Sequence, residues 1–126
     1  MYSKKILERF TNPSYAGGIR GGDGTGRAES GAEVIKIYIA VSPSGEIKSA
    51  RFKAYGGVCT IVACDIACEL IEDLSLDKAL TITSNDIAQE IDLPQNKMDS
   101  AILAEEAIKN AVEDYYKKKE KELKKR

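Results

Sequence analysis

Cys59, Cys64 and Cys68 are the three cysteines of a 126-residue chain. All three fall within the stretch FKAYGGVCTIVACDIACEL, residues 52 to 70. Thiolates bind soft metals and carry sulfur, whereas free thiols also pack as small apolar groups. The stretch therefore supports three chemistries: a metal site, a sulfur-handling site, or core packing inside a helix. Cys64 and Cys68 are one helical turn apart on a shared face. Cys59 stands at the expected helix start, where the helix dipole favours thiolate, and it points away from the other two. The C-x4-C-x3-C spacing matches no compact zinc or ferredoxin pattern. A four-coordinate site on these thiols needs a further ligand from a carboxylate, a water or a second chain.

The chain contains no histidine, so neither a Cys/His zinc site nor a Ser-His or Cys-His pair can form within it. With no base–nucleophile pair, the expectation is that it is not an enzyme. The net charge of -1 gives no general attraction to nucleic acid or membrane. No run approaches the roughly 20 apolar residues of a membrane span, and MYSKKILERF lacks the apolar core of a signal peptide. Three closely spaced cysteines are not a secreted disulfide framework, and a reducing, cytoplasmic setting is expected.

Several elements must position these residues. Ile6, Leu7 and Phe10 predict an opening helix capped by Ser3 and stopped at Asn12-Pro13. Residues 15 to 31 hold seven of the ten glycines and read as a flexible loop, with a short edge strand near Thr25 to Glu29. Its approximation to a phosphate loop fails, because Arg27 and Ala28 replace the lysine and hydroxyl and a strand follows. EVIKIYIAV and EIKSARFKAY, joined at Pro43-Ser44-Gly45, predict a β-hairpin. From Val58 the period becomes helical, with Val62, Ala63, Ile66, Leu70, Ile71 and Leu74 inward and Asp65, Glu69, Glu72 and Asp73 mostly opposite. Short helices follow near Ser75 and Ser84, with a break at Leu93-Pro94. A last helix from near Lys97 turns Ile102, Leu103, Ala107, Ile108, Ala111, Val112 and Tyr115 inward. Residues 117 to 126 are basic and read as a solvated, fraying helix end whose charge suits the dipole. The expectation is one α+β domain over residues 1 to 126, a small antiparallel sheet covered on one face by helices.

Several segments carry a resemblance that runs nearly end to end: the opening helix with Asn12-Pro13, the Gly-rich loop, ARFKAYG (50 to 56), SLDKA (75 to 79), NDIAQEIDLP (85 to 94) and SAILAEEAIKNAVEDY (100 to 115). On these the chain resembles the U-type iron–sulfur cluster scaffold family, the IscU-like proteins and NifU N-terminal domains. The resemblance implies a scaffold that assembles an iron–sulfur cluster on three cysteines and an aspartate, with a histidine beside the third cysteine. It implies a cysteine desulfurase, chaperones and other assembly proteins as partners. Carried over by position, the first ligand cysteine falls on Gly31, or on Ser30 with one inserted residue. The aspartate falls on Glu33, or on Ala32 in that alternative. The second cysteine falls on Gly57, and the histidine and third cysteine on Asp99 and Ser100. The chaperone-recognition stretch becomes Leu93-Pro94-Gln95-Asn96-Lys97, partly kept.

Two functions follow as expectations. One is a divergent assembly scaffold that binds iron or a cluster, or zinc in its place, or accepts persulfide sulfur, through the shifted Cys59, Cys64 and Cys68, with Glu33, Asp65 and Asp99 as candidate carboxylate ligands. The other is a pseudo-scaffold that docks with assembly partners without metal. A homo-oligomer is compatible with either.

Overall fold

A computed structural model describes residues 2–125. The order is α1 (Lys4–Thr11), β1 (Gly24–Ser30), β2 (Glu33–Val41), β3 (Ile47–Tyr55), α2 (Val58–Ile71), α3 (Leu76–Ala79), α4 (Ser84–Ile91), a 3₁₀ turn (Gln95–Lys97) and α5 (Met98–Lys124). The strands form one antiparallel sheet in the order β1-β2-β3. The expected α+β architecture is therefore present. Alternation in β2 puts Ile35, Ile37 and Ile39 on the buried face, joined by Ala50 and Phe52 of β3. Helices α2 and α5 pack on that face.

Part of the glycine-rich segment is a full strand, longer than the short edge strand expected. Its glycines serve close packing: a Cβ on Gly24 would lie 2.5 Å from the Ala111 carbonyl oxygen, and one on Gly26 would collide with the backbone of Ala107 and Ala111. Strand β1 can thus lie directly on α5. The helix also satisfies the strand's outer edge, where the Thr25 N–H donates to Asp114 Oδ2 at 2.8 Å and Asn110 Nδ2 donates to the Arg27 carbonyl at 2.8 Å. At the opposite edge, Tyr15 to Gly17 run beside β3. Phe52 N–H donates to the Tyr15 carbonyl at 3.0 Å and Gly17 N–H to the Phe52 carbonyl at 2.8 Å.

Three expected helix faces change. Helix α2 is enclosed, with ten of its 14 residues buried, so no polar face exists at Asp65. That carboxylate has zero exposure and accepts from Arg9 Nη1 at 2.9 Å and the Tyr15 N–H at 2.8 Å. Glu72, Asp73 and Leu74 lie beyond the end of α2. In α1 only Ile6 is buried, while Leu7 and Phe10 are exposed. In α5, Ile102 is exposed because the inward face follows Ala101, Ala104, Ala107, Ile108 and Ala111, one position away from it. That helix continues to Lys124, with ion pairs Lys117–Glu113, Lys118–Asp114 and Lys124–Glu120 one turn apart.

Gly26→Ala drives a methyl into the α5 backbone, so a loss of about 1–3 kcal/mol is expected, read as a melting temperature lower by on the order of 10 °C. Gly57→Ala meets no atom within 4 Å and sits at φ -82°, so its melting temperature should stay within a few degrees of wild type. Thermal unfolding of both variants checks the contrast, and equal losses would contradict the packing role of Gly26.

Candidate functional site

The β1–β2 turn, the start of α2 and the start of α5 meet at one end of the molecule. Gly31 forms the turn at φ +59°, a left-handed conformation that suits glycine. Glu33 opens β2, paired with Ser30. Gly56-Gly57 leads into α2, and the absent Cβ of Gly56 lets Thr60 approach, since a Cβ there would sit 2.6 Å from Thr60 Oγ1. Ser100 is in the first turn of α5 and is buried.

Oxygen atoms link these elements. Thr60 Oγ1 donates to Glu33 Oε1 at 2.7 Å and lies 3.4 Å from Ser100 Oγ. Glu33 and Ser100, two positions that the resemblance implies for family ligands, are thus brought together by Thr60. Gly31 and Gly57 bring no donor atom, and each has open space where a Cβ would stand. Asp99 is exposed and makes no hydrogen bond or ion pair among the described residues. Thr60 was missed in the sequence, although a hydroxyl three residues after Gly57 in an apolar run was a usable signal.

The cysteines lie elsewhere in this environment. Cys64 and Cys68 have zero exposure within the hydrophobic core. Burial pushes both thiols well above their ordinary range; for each, neighbouring Asp65 adds to the shift. Cys59 is nearest the turn but is only 4% exposed. Burial raises its pKa, Lys97 opposes the rise and Glu33 reinforces it. The thiolate expected from the helix dipole is therefore not favoured here, because desolvation acts more strongly. Asp65, a candidate ligand in the sequence, is committed to Arg9 and Tyr15. Among the described residues, no three Cys, Asp or Glu side chains come together to hold a metal ion. The end of the molecule instead offers one carboxylate and two hydroxyls, hard oxygen donors that suit soft iron–sulfur chemistry poorly.

These thiols should react slowly with an aromatic disulfide reagent at pH 8, with all three reacting promptly once the chain is unfolded. Their folded pKa values lie above the ordinary thiol value of 9.0. The stability linked to them is therefore fully present below that pH and is lost as pH rises through the folded values. Native-state reaction should accelerate above pH 9 together with unfolding. Rapid reaction of two or three thiols in the folded protein at pH 8 would contradict their burial.

The chain matches the NifU-like N terminal domain family over residues 1–122. It is 39% identical over 124 residues to the iron-sulfur cluster assembly scaffold protein IscU of Escherichia coli strain K12, covering 94% of this chain and 97% of that one. To the IscU of Azotobacter vinelandii it is 37% identical over 123 residues, covering 94% and 96%. Among solved structures, the fold is similar to a putative iron-sulfur cluster assembly scaffold protein for the SUF system from Fervidobacterium islandicum AW-1. That match has a TM-score of 0.73 at 14% identity and covers 88% of this chain and 96% of that one. A nitrogen-fixing NifU-like protein from Brucella abortus superposes with a TM-score of 0.71 at 11% identity, over 92% and 94%. A chain with this sequence and this sheet-and-helix arrangement belongs to the NifU-like N-terminal domain family.

Proposed function

We propose that this protein works in iron–sulfur cluster assembly as a docking member of the scaffold family, one that engages assembly partners without holding the cluster on its own thiols. The family membership supports the setting, and the named relatives are assembly scaffolds. One observation carries the departure from them. Cys64 and Cys68 have zero exposure and Cys59 is 4% exposed, while the positions that the resemblance implies for ligand cysteines are Gly31 (or Ser30), Gly57 and Ser100. A cluster is cargo that must enter and leave, and thiols inside a packed core offer it no route. A cysteine desulfurase is the partner that the family resemblance implies.

A second reading has one specific support. Cys59 lies in the first turn of α2, close enough to Lys97 for its charge to act on the thiol. In that reading Cys59 accepts persulfide sulfur or ligates iron after a local opening of the helix start.

Anaerobic reconstitution with ferrous iron and sulfide separates the two, read by visible absorption and bound iron. The wild type and Cys59→Ala should both lack a chromophore, while a purified cysteine desulfurase still binds the wild type in calorimetry. A variant carrying Gly31→Cys, Gly57→Cys and Ser100→Cys should gain a chromophore, because a Cβ at positions 31 and 57 meets nothing within 4 Å, although the left-handed conformation at position 31 costs a side chain there about 1–2 kcal/mol. A wild-type chromophore lost in Cys59→Ala would overturn the docking reading and establish Cys59 as a ligand.

A further inference from the structure

The sheet face opposite the helices carries side chains in three rows across the strands. The middle row is Arg27, Lys36 and Lys53, directly paired across β1, β2 and β3. One flanking row is Glu29, Val34 and Tyr55, and the other is Thr25, Tyr38 and Arg51. Like charges placed directly opposite one another in a sheet are destabilising, so the middle row carries an unfavourable term within the free protein. Two of its cations have little local compensation. Arg27 pairs with Glu29 at 2.8 Å, and Arg51 lies 3.8 Å from Glu72. Lys36 and Lys53 make no ion pair among the described residues. Lys53 Nζ instead stands 5.9 Å from the centroid of the Tyr38 ring.

Arg27, Val34, Lys36, Tyr38, Lys53 and Tyr55 line a recess of about 390 Å³, and Tyr55 is 80% exposed. Half-buried Val34 and Tyr38 give its floor an apolar component beside the ammonium groups. We propose that this face docks an acidic segment of a partner protein, its carboxylates set against Lys36 and Lys53 and an apolar side chain against Val34 and Tyr55. Charge complementarity identifies the occupant: two lysines without ion-pair partners among the described residues, paired on adjacent strands whose backbones stand roughly 5 Å apart, match neighbouring Asp or Glu side chains. Single-stranded nucleic acid would need a longer basic track along its phosphates, and the whole chain carries a net charge of -1. The inference is independent of whether the protein holds a cluster, because no residue of the Gly31–Glu33–Thr60–Ser100 end takes part.

A titration of the isotopically labelled full chain with N-acetylated hexaglutamate, followed by amide chemical shifts, tests it. Shifts should centre on Arg27, Lys36, Lys53 and Tyr55, vanish in 0.5 M salt on the order expected from charge screening, and weaken at least tenfold in Lys36→Glu/Lys53→Glu. Circular dichroism and melting establish that this exposed double variant is folded. Shifts confined to the basic end of α5, or none at millimolar peptide, would overturn the proposal. So would tighter binding of a twelve-residue oligothymidylate than of the peptide, or self-association through this face in sedimentation.

Discussion

Asp65 is a carboxylate with zero exposure, in the middle of a helix that is itself enclosed. An ionised group in that position requires partners, and it has two: the Arg9 guanidinium and the Tyr15 N–H. Removing the partner of such a group typically costs about 3–5 kcal/mol, a large part of the roughly 5–15 kcal/mol that holds a domain together. The same bonds attach α1, whose one buried side chain is Ile6, and bring Tyr15 to Gly17 alongside the exposed edge of β3. Arg9 reaches Glu69 as well at 3.1 Å, so one side chain fastens the N-terminal segment to two successive turns of α2. The enclosure of α2 then fixes the surroundings of every thiol in the chain.

That enclosure places the thiols in surroundings unlike those a metal ligand needs. A thiol serves as a ligand when it is exposed enough to lose its proton and meet a metal. Cys64 and Cys68 occupy positions where a small apolar group fills space between sheet and helices, and their protons are held there by desolvation. At the end of the molecule, Thr60 joins the Glu33 carboxylate and approaches Ser100, so hydroxyls hold together elements that thiolate–metal bonds are implied to join in the family. Gly31 and Gly57 leave space without donors. The fold is that of the family, and the side chains linked at this end are hard oxygen donors.

Strand and helix positions were legible wherever the period was local. Val34 to Val41 alternates cleanly, and β2 and β3 stand where that alternation and Pro43-Ser44-Gly45 put them. The extent of β1 was hidden because its glycines answer to the backbone of α5, more than 80 residues away in sequence, rather than to local flexibility. Asp65 was misread for a similar reason: its helical position looks polar until Arg9 and Tyr15 arrive from the N-terminal segment. At the candidate site, Glu33 and Ser100 were reached through family resemblance, whereas Thr60 had only its place near Gly57 to mark it. The burial of Cys59, 4% exposed in the first turn of α2, depends on tertiary packing that no local pattern encodes.

In the function proposed for this protein, the thiols belong to the core and carry no cluster. Iron and acid-labile sulfide counted per chain, on protein purified anaerobically and never exposed to chelator, test it most directly. Both should fall well below one per chain, with the three thiols recovered in full after unfolding. Near-stoichiometric iron with matching sulfide, retained through gel filtration, would contradict it.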